Sequence, residues 1–107
     1  MSDLPKPFRR FLQRYPEVEK AHMELSLTIN RQGPLGERER RLVRLGIAVG
    51  QQSQGGIKSH ARRGLDEGIS AEELRHAALL ALPTAGFPAM IAASEWIEAV
   101  LEERAKP

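Results

Sequence analysis

The chain has 107 residues, is 41% apolar and 5% aromatic, holds no cysteine, and carries a formal net charge of only +2 despite a pI near 9.4. Its length predicts one domain, residues 1–107, with a modest core of Leu, Ile, Val and Ala. The missing cysteines exclude disulfides, thiolate nucleophiles, thiolate-held zinc and dithiol redox chemistry, and the near-balanced charge argues against a nucleic-acid partner.

In chain order the pattern is helical throughout, and no strand pattern of useful length occurs. The N-terminal MSDLPKPFRRF has no apolar run behind its charges, so no secretory signal is expected and the location read from it is cytoplasmic. Within residues 1–15 the apolar-basic piece FRRFLQRY predicts one or two turns packed on the body. A first long helix starts at Pro16, with Glu17 and Glu19 where the helix dipole favours negative charge, and Gly33 and Pro34 stop it. The second begins near Gly36 as ERERRLVRLGIAVG, charged in its first half and apolar over residues 42–49, which predicts an exposed start and a buried end. Arg38, Arg40, Arg41 and Arg44 alternate with Glu37 and Glu39, the pattern of a salt-bridge network rather than a nucleic-acid surface.

The polar stretch GQQSQGGIKSH, residues 50–60, separates this helix from a third that runs to about Glu67 and is closed by Gly68. Ile57, His60, Ala61, Gly64 and Leu65 lie on one face of it. Ser70 and Glu73 have the spacing of a capping box, opening a fourth helix through Leu82 that Pro83 closes. Residues 77–93 carry no charge, but Pro83, Gly86 and Pro88 interrupt them. They read as a buried turn and subunit contact rather than a membrane span. The fifth helix starts around Gly86, Phe87 and Pro88, with Ile91, Trp96, Ile97, Val100 and Leu101 as apolar bulk and Glu98, Glu102 and Glu103 toward solvent. The fold class is therefore all-α, with about five main helices.

These residues also carry a resemblance. LVRLGIAVG, the polar turn, SHARRGLDEGISAEELRHA and LPTAGFPAMIAA together resemble the core of the carboxymuconolactone decarboxylase and alkyl hydroperoxidase D (AhpD-like) superfamily, over roughly residues 35–101. The resemblance implies an all-helical domain assembled as a homotrimer or homohexamer, with a pocket near a subunit boundary. The superfamily's redox branch is similar to a pattern that places cysteines at what are here Ser53 and Gly56, a glutamate at what is here Arg41, and a further histidine at Gly55. Only His60 keeps the expected residue. A hydroxyl cannot replace a thiolate in disulfide exchange, so thiol peroxidase activity is not expected.

The decarboxylase branch needs no cysteine, and there the resemblance implies two readings. In one, His60 is a proton carrier and Arg41, Arg44 or Lys58 holds a substrate carboxylate, with Ser53 among the groups facing a small molecule. In the other, the protein is a non-catalytic oligomeric or ligand-binding member and His60 is part of the packing. Ser59 and His60 are helix neighbours pointing to different faces, so they are not a nucleophile–base pair. His22, His60 and His76 lack metal-ligand spacing, and neither a metal nor a cofactor is expected.

Overall fold

The computed structural model describes residues 4–106, so what the sequence suggests for residues 1–3 lies outside the described residues. Seven helical segments follow in order: α1 (Lys6–Arg14), α2 (Pro16–Asn30), α3 (Glu37–Gly50), α4 (Gln54–Asp66), α5 (Ala71–Leu79), α6 (Leu82–Ala85) and α7 (Phe87–Ala105). No strand occurs among the described residues. The chain separates into two compact units, one ending at Pro34 and one beginning at Leu35.

In the first unit α1 packs on α2, and neither helix buries a residue. Pro16 opens α2 with Glu17 and Glu19 in its first turn, as its chemistry predicts. In the second unit α3 and α4 form an antiparallel pair, and α7 packs against α4, α5 and α6. The core is Leu45, Ala48 and Val49 of α3, Ile57 and Ala61 of α4, Leu74 and Ala78 of α5, and Ala93, Ile97 and Val100 of α7, with Ile69 between α4 and α5. Each set recurs every three or four residues, so each helix offers one stripe. Complete burial of a side chain such as Leu45, Ile57, Leu74 or Ile97 stabilises the unit by about 1.5–3 kcal/mol.

Local chemistry ends the elements. Gly68 has φ +94, Ile69 N donates to Gly64 O at 2.8 Å and Gly68 N to Leu65 O at 3.2 Å, the paired bonds of a Schellman closure. Ser70 Oγ accepts from Glu73 N at 3.1 Å while Glu73 Oε1 accepts from Ser70 N at 2.9 Å, completing the capping box. The fourth helix corrects the sequence reading. It ends at Leu79 rather than Leu82, and Pro83 sits in the first turn of α6 instead of closing α5. A proline lacks only an N–H that a first turn leaves unpaired anyway, so it starts a helix as readily as it stops one. Gly86, at φ +96 and ψ 165, then turns the chain into α7. Along α7 the buried stripe is Met90, Ala93, Ile97 and Val100, whereas Ile91 points outward and Trp96 and Leu101 are partly buried. No helix among the described residues is long and apolar enough to cross a membrane.

Candidate functional site

Ser53 is the N-cap of α4, and its Oγ accepts a hydrogen bond from Gly56 N at 3.1 Å. A Cβ placed on Gly56 would stand 2.8 Å from that Oγ and 3.3 Å from Ser53 Cβ, so the third residue of the helix is kept small by the cap itself. The two positions at which the resemblance implies sulfur are thus the cap and third residue of one helix, joined here by a capping bond. Before them the chain turns through Gln52, the one non-glycine residue with positive φ (54°) among those described. Its amide nitrogen donates to Val49 O and Ala89 O, both at 2.9 Å, tying the end of α3 to the start of α7. The left-handed conformation costs roughly 1–2 kcal/mol, and those two bonds offset it.

Across the α3–α4 pair, Arg41 reaches two partners. Its Nε and Nη2 grip Glu67 at 2.9 and 2.8 Å, and its Nη1 lies 2.7 Å from His60 Nδ1. The arginine and glutamate side chains are 14% and 20% exposed, so water competes little for this pairing. A guanidinium has donors only, so His60 Nδ1 must accept and the ring's proton must sit on Nε2. Burial, followed by the charges of Arg41, Arg63 and Arg44, lowers the His60 pKa from its ordinary 6.5 to about 4, against an opposing pull from Glu67. The hydrogen bond from Arg41 holds the Glu67 carboxyl below its ordinary value. At neutral pH His60 is an uncharged ring whose δ nitrogen is engaged by Arg41 and whose Nε2–H takes no part in that clasp.

The remaining residues singled out by sequence are not gathered here. Lys58 is two positions from His60, on another face of α4, and acts electrostatically on Glu103 of α7. Ser53 is committed to its cap. Arg38 pairs with Glu73, Arg62 with Glu103 and Arg104 with Asp66, so the basic stretch is a cross-helix ion-pair network. Arg40 instead donates to Leu35 O at 2.6 Å. Glu67 was not singled out by sequence, although its place seven residues after His60 on the same helix face carried a usable signal. Gln52, which with Gln51, Ser53 and Gln54 offers polar groups either to a pocket or to a solvated helix end, instead ties α3 to α7.

A separate groove of about 340 Å³ opens between α3 and the α5–α6 turn, with Leu42, Gly46 and Val49 on one side and Ala77, Ala81 and Thr84 on the other. A Cβ added at Gly46 or Gly50 would meet nothing within 4 Å, so the α3 wall of the groove stays open. Neither His60 nor Arg41, Ser53 or Lys58 lines it.

The sequence profile of the Carboxymuconolactone decarboxylase family matches residues 16–99. The structure is similar to the crystal structure of the apo form of a carboxymuconolactone decarboxylase family protein from Legionella pneumophila, with a TM-score of 0.79 and 26% identity. That alignment covers 98% of this chain and 93% of the other. No curated protein matches.

Proposed function

We propose that the chain, which belongs to the carboxymuconolactone decarboxylase family, is a non-catalytic, self-associating member that binds a small, largely apolar molecule. The observation that carries this reading is the Arg41 clasp on His60 and Glu67. It uses the δ nitrogen of the one retained family residue as a hydrogen-bond acceptor and holds the ring uncharged. Arg41, at the position where the resemblance implies an acid, is in this reading a cross-helix tie, and Ser53 is a helix cap.

The ligand's place is the groove of about 340 Å³, at the small end of the usual range for ligand sites. Its walls suit an aliphatic or aromatic body, and Thr84 offers one hydroxyl to orient it. Self-association, as the trimer or hexamer that the resemblance implies, is supported by α2: Val18, Met23, Leu25, Leu27 and Ile29 are each more than half exposed and lie on opposing sides of that helix.

Gly46→Leu tests the groove directly. The substitution removes a helix-interior glycine, its Cβ meets no neighbouring atom and the rest of the side chain enters the groove, so melting temperature should hold or rise. Binding of any small aromatic or aliphatic ligand found by thermal-shift screening of the intact protein should drop at least tenfold. A ligand that binds the variant as well as the parent would place its site elsewhere.

One observation favours a second reading, in which His60 works on a substrate. Its Nε2–H takes no part in the Arg41 clasp, and Arg44 and Arg63 act on the ring from nearby. A neutral imidazole can donate to a developing oxyanion, with the Arg63 guanidinium holding a carboxylate. Under this reading His60→Ala abolishes turnover of a carboxylated substrate while leaving groove binding intact, whereas the structural reading expects a lower melting temperature and no turnover to lose.

A further inference from the structure

In the second unit five arginines are neutralised by carboxylates on neighbouring helices: Arg38 by Glu73, Arg41 by Glu67, Arg62 by Glu103, Arg75 by Glu98 and Arg104 by Asp66. α1 is built on the opposite plan. Residues 4–15, LPKPFRRFLQRY, hold Lys6, Arg9, Arg10 and Arg14 with no Asp or Glu, a local charge of +4 in a chain whose remainder sums to −2. None of these four cations has a carboxylate partner among the described residues.

The apolar residues of the same piece are segregated from the charges. Phe8, Phe11, Leu12 and Tyr15 recur at i, i+3, i+4 and i+7, while Lys6, Arg9, Arg10 and Arg14 occupy the edges and the reverse side. Phe8, Phe11 and Tyr15 are 45%, 37% and 51% exposed, and α1 buries nothing. The three rings follow one another as a continuous ridge, with centroid separations of 6.5 and 5.8 Å. An aromatic ridge bordered by unpaired cations is the composition of an element that lies in the plane of a membrane interface.

We infer that α1 docks the protein on an anionic lipid surface, the ridge of Phe8, Phe11 and Tyr15 entering the boundary between headgroups and acyl chains while Lys6, Arg9, Arg10 and Arg14 meet the lipid phosphates. Charge decides against one rival occupant and the contact between the rings against another. Two copies pairing α1 on α1 would bring +4 against +4. Single-stranded nucleic acid stacks its bases on open ring faces, whereas these rings lean on one another in tilted contacts at 32° and 46°. The inference is independent of the groove and of His60.

The test is co-sedimentation of the intact protein with vesicles of phosphatidylcholine alone and with about one-third phosphatidylserine or phosphatidylglycerol. Binding is expected only to the anionic vesicles and should weaken on raising salt from about 50 to 500 mM. Arg9→Gln/Arg10→Gln/Arg14→Gln should lower the partition by about a hundredfold. Phe8→Ser/Phe11→Ser should also abolish binding with the rest of the fold intact, since neither ring is buried. Phe11→Trp gives a second readout: its emission should shift blue and be quenched by brominated lipid, whereas Trp96 of the parent protein should not respond. Equal binding to neutral vesicles, no binding to either, loss of the protein's own oligomer in Phe8→Ser/Phe11→Ser, or arginine-dependent binding confined to an oligonucleotide would each overturn the inference.

Discussion

His60 shares its surroundings with three guanidiniums, Arg41, Arg63 and Arg44, and one carboxylate, Glu67. Its folded pKa of about 4 lies below the ordinary 6.5, so between these values the unfolded chain binds the extra proton and the folded chain does not. Stability is therefore complete above about pH 6.5 and is lost as the pH falls toward 4, by on the order of 1–2 kcal/mol once solvent screening of a half-buried group is allowed for. The carboxylates of Glu67, Asp66, Glu98 and Glu103 are all held low by arginine, so their contribution fades only below the ordinary carboxylate range. The two windows separate. Urea midpoints taken from pH 7 to 4.5 should fall for the parent and stay nearly flat for His60→Gln; parallel curves would contradict the lowered pKa. Arg41→Glu carries the same argument further, since it exchanges a cation beside Nδ1 for an anion. NMR titration should find the imidazole pKa well above its parent value, and no movement would mean that burial alone sets it.

The turn between α3 and α4 is closed by its own local bonds. Ser53 holds the first turn of α4 by one bond, so Ser53→Ala should cost about 1 kcal/mol and several degrees of melting temperature. With a Cβ on Gly56 only 3.3 Å from that of Ser53, the backbone also retains approximately the spacing a disulfide needs. Ser53→Cys/Gly56→Cys should therefore lose its free-thiol titre on mild oxidation; two thiols that stay free would show that the turn has drifted from dithiol geometry. Such short-range chemistry is what a sequence makes legible: Pro16, Gly68 and the Ser70–Glu73 box all sit where their types predict. Pro83 was misread because the same missing N–H suits a first turn as well as a stop. The pairing of Arg41 with Glu67 was not legible for a different reason. Arg41 and Glu67 are 26 residues apart, and nothing local says that two helices will bring them within 2.8 Å.

Across the molecule, burial is uneven in a way that composition does not reveal. Leu45, Ile57, Leu74 and Ile97 are fully enclosed in the second unit, while α2 encloses none of its apolar side chains. Val43, Ile47, Leu79, Leu80, Phe87 and Ile91 in the second unit are also about half exposed or more. Leaving so many large side chains in water forfeits about 25 cal/mol for every Å² that a partner surface would cover. Another copy of the chain fits this need for α2 because α2 mixes Glu17, Glu19 and Glu24 with its apolar residues, unlike the wholly basic α1. Leu25 and Leu27 lie on different sides of α2, so Leu25→Lys and Leu27→Lys each probe a separate contact. In light scattering the parent should run as a multiple of 11.9 kDa, and the double variant should fall toward the single-chain mass with its helical circular dichroism retained. A parent that already runs as a single chain would remove self-association from the proposed function, and an unchanged multiple in the double variant would move the interface from α2 to the exposed side chains of α3, α5 and α7.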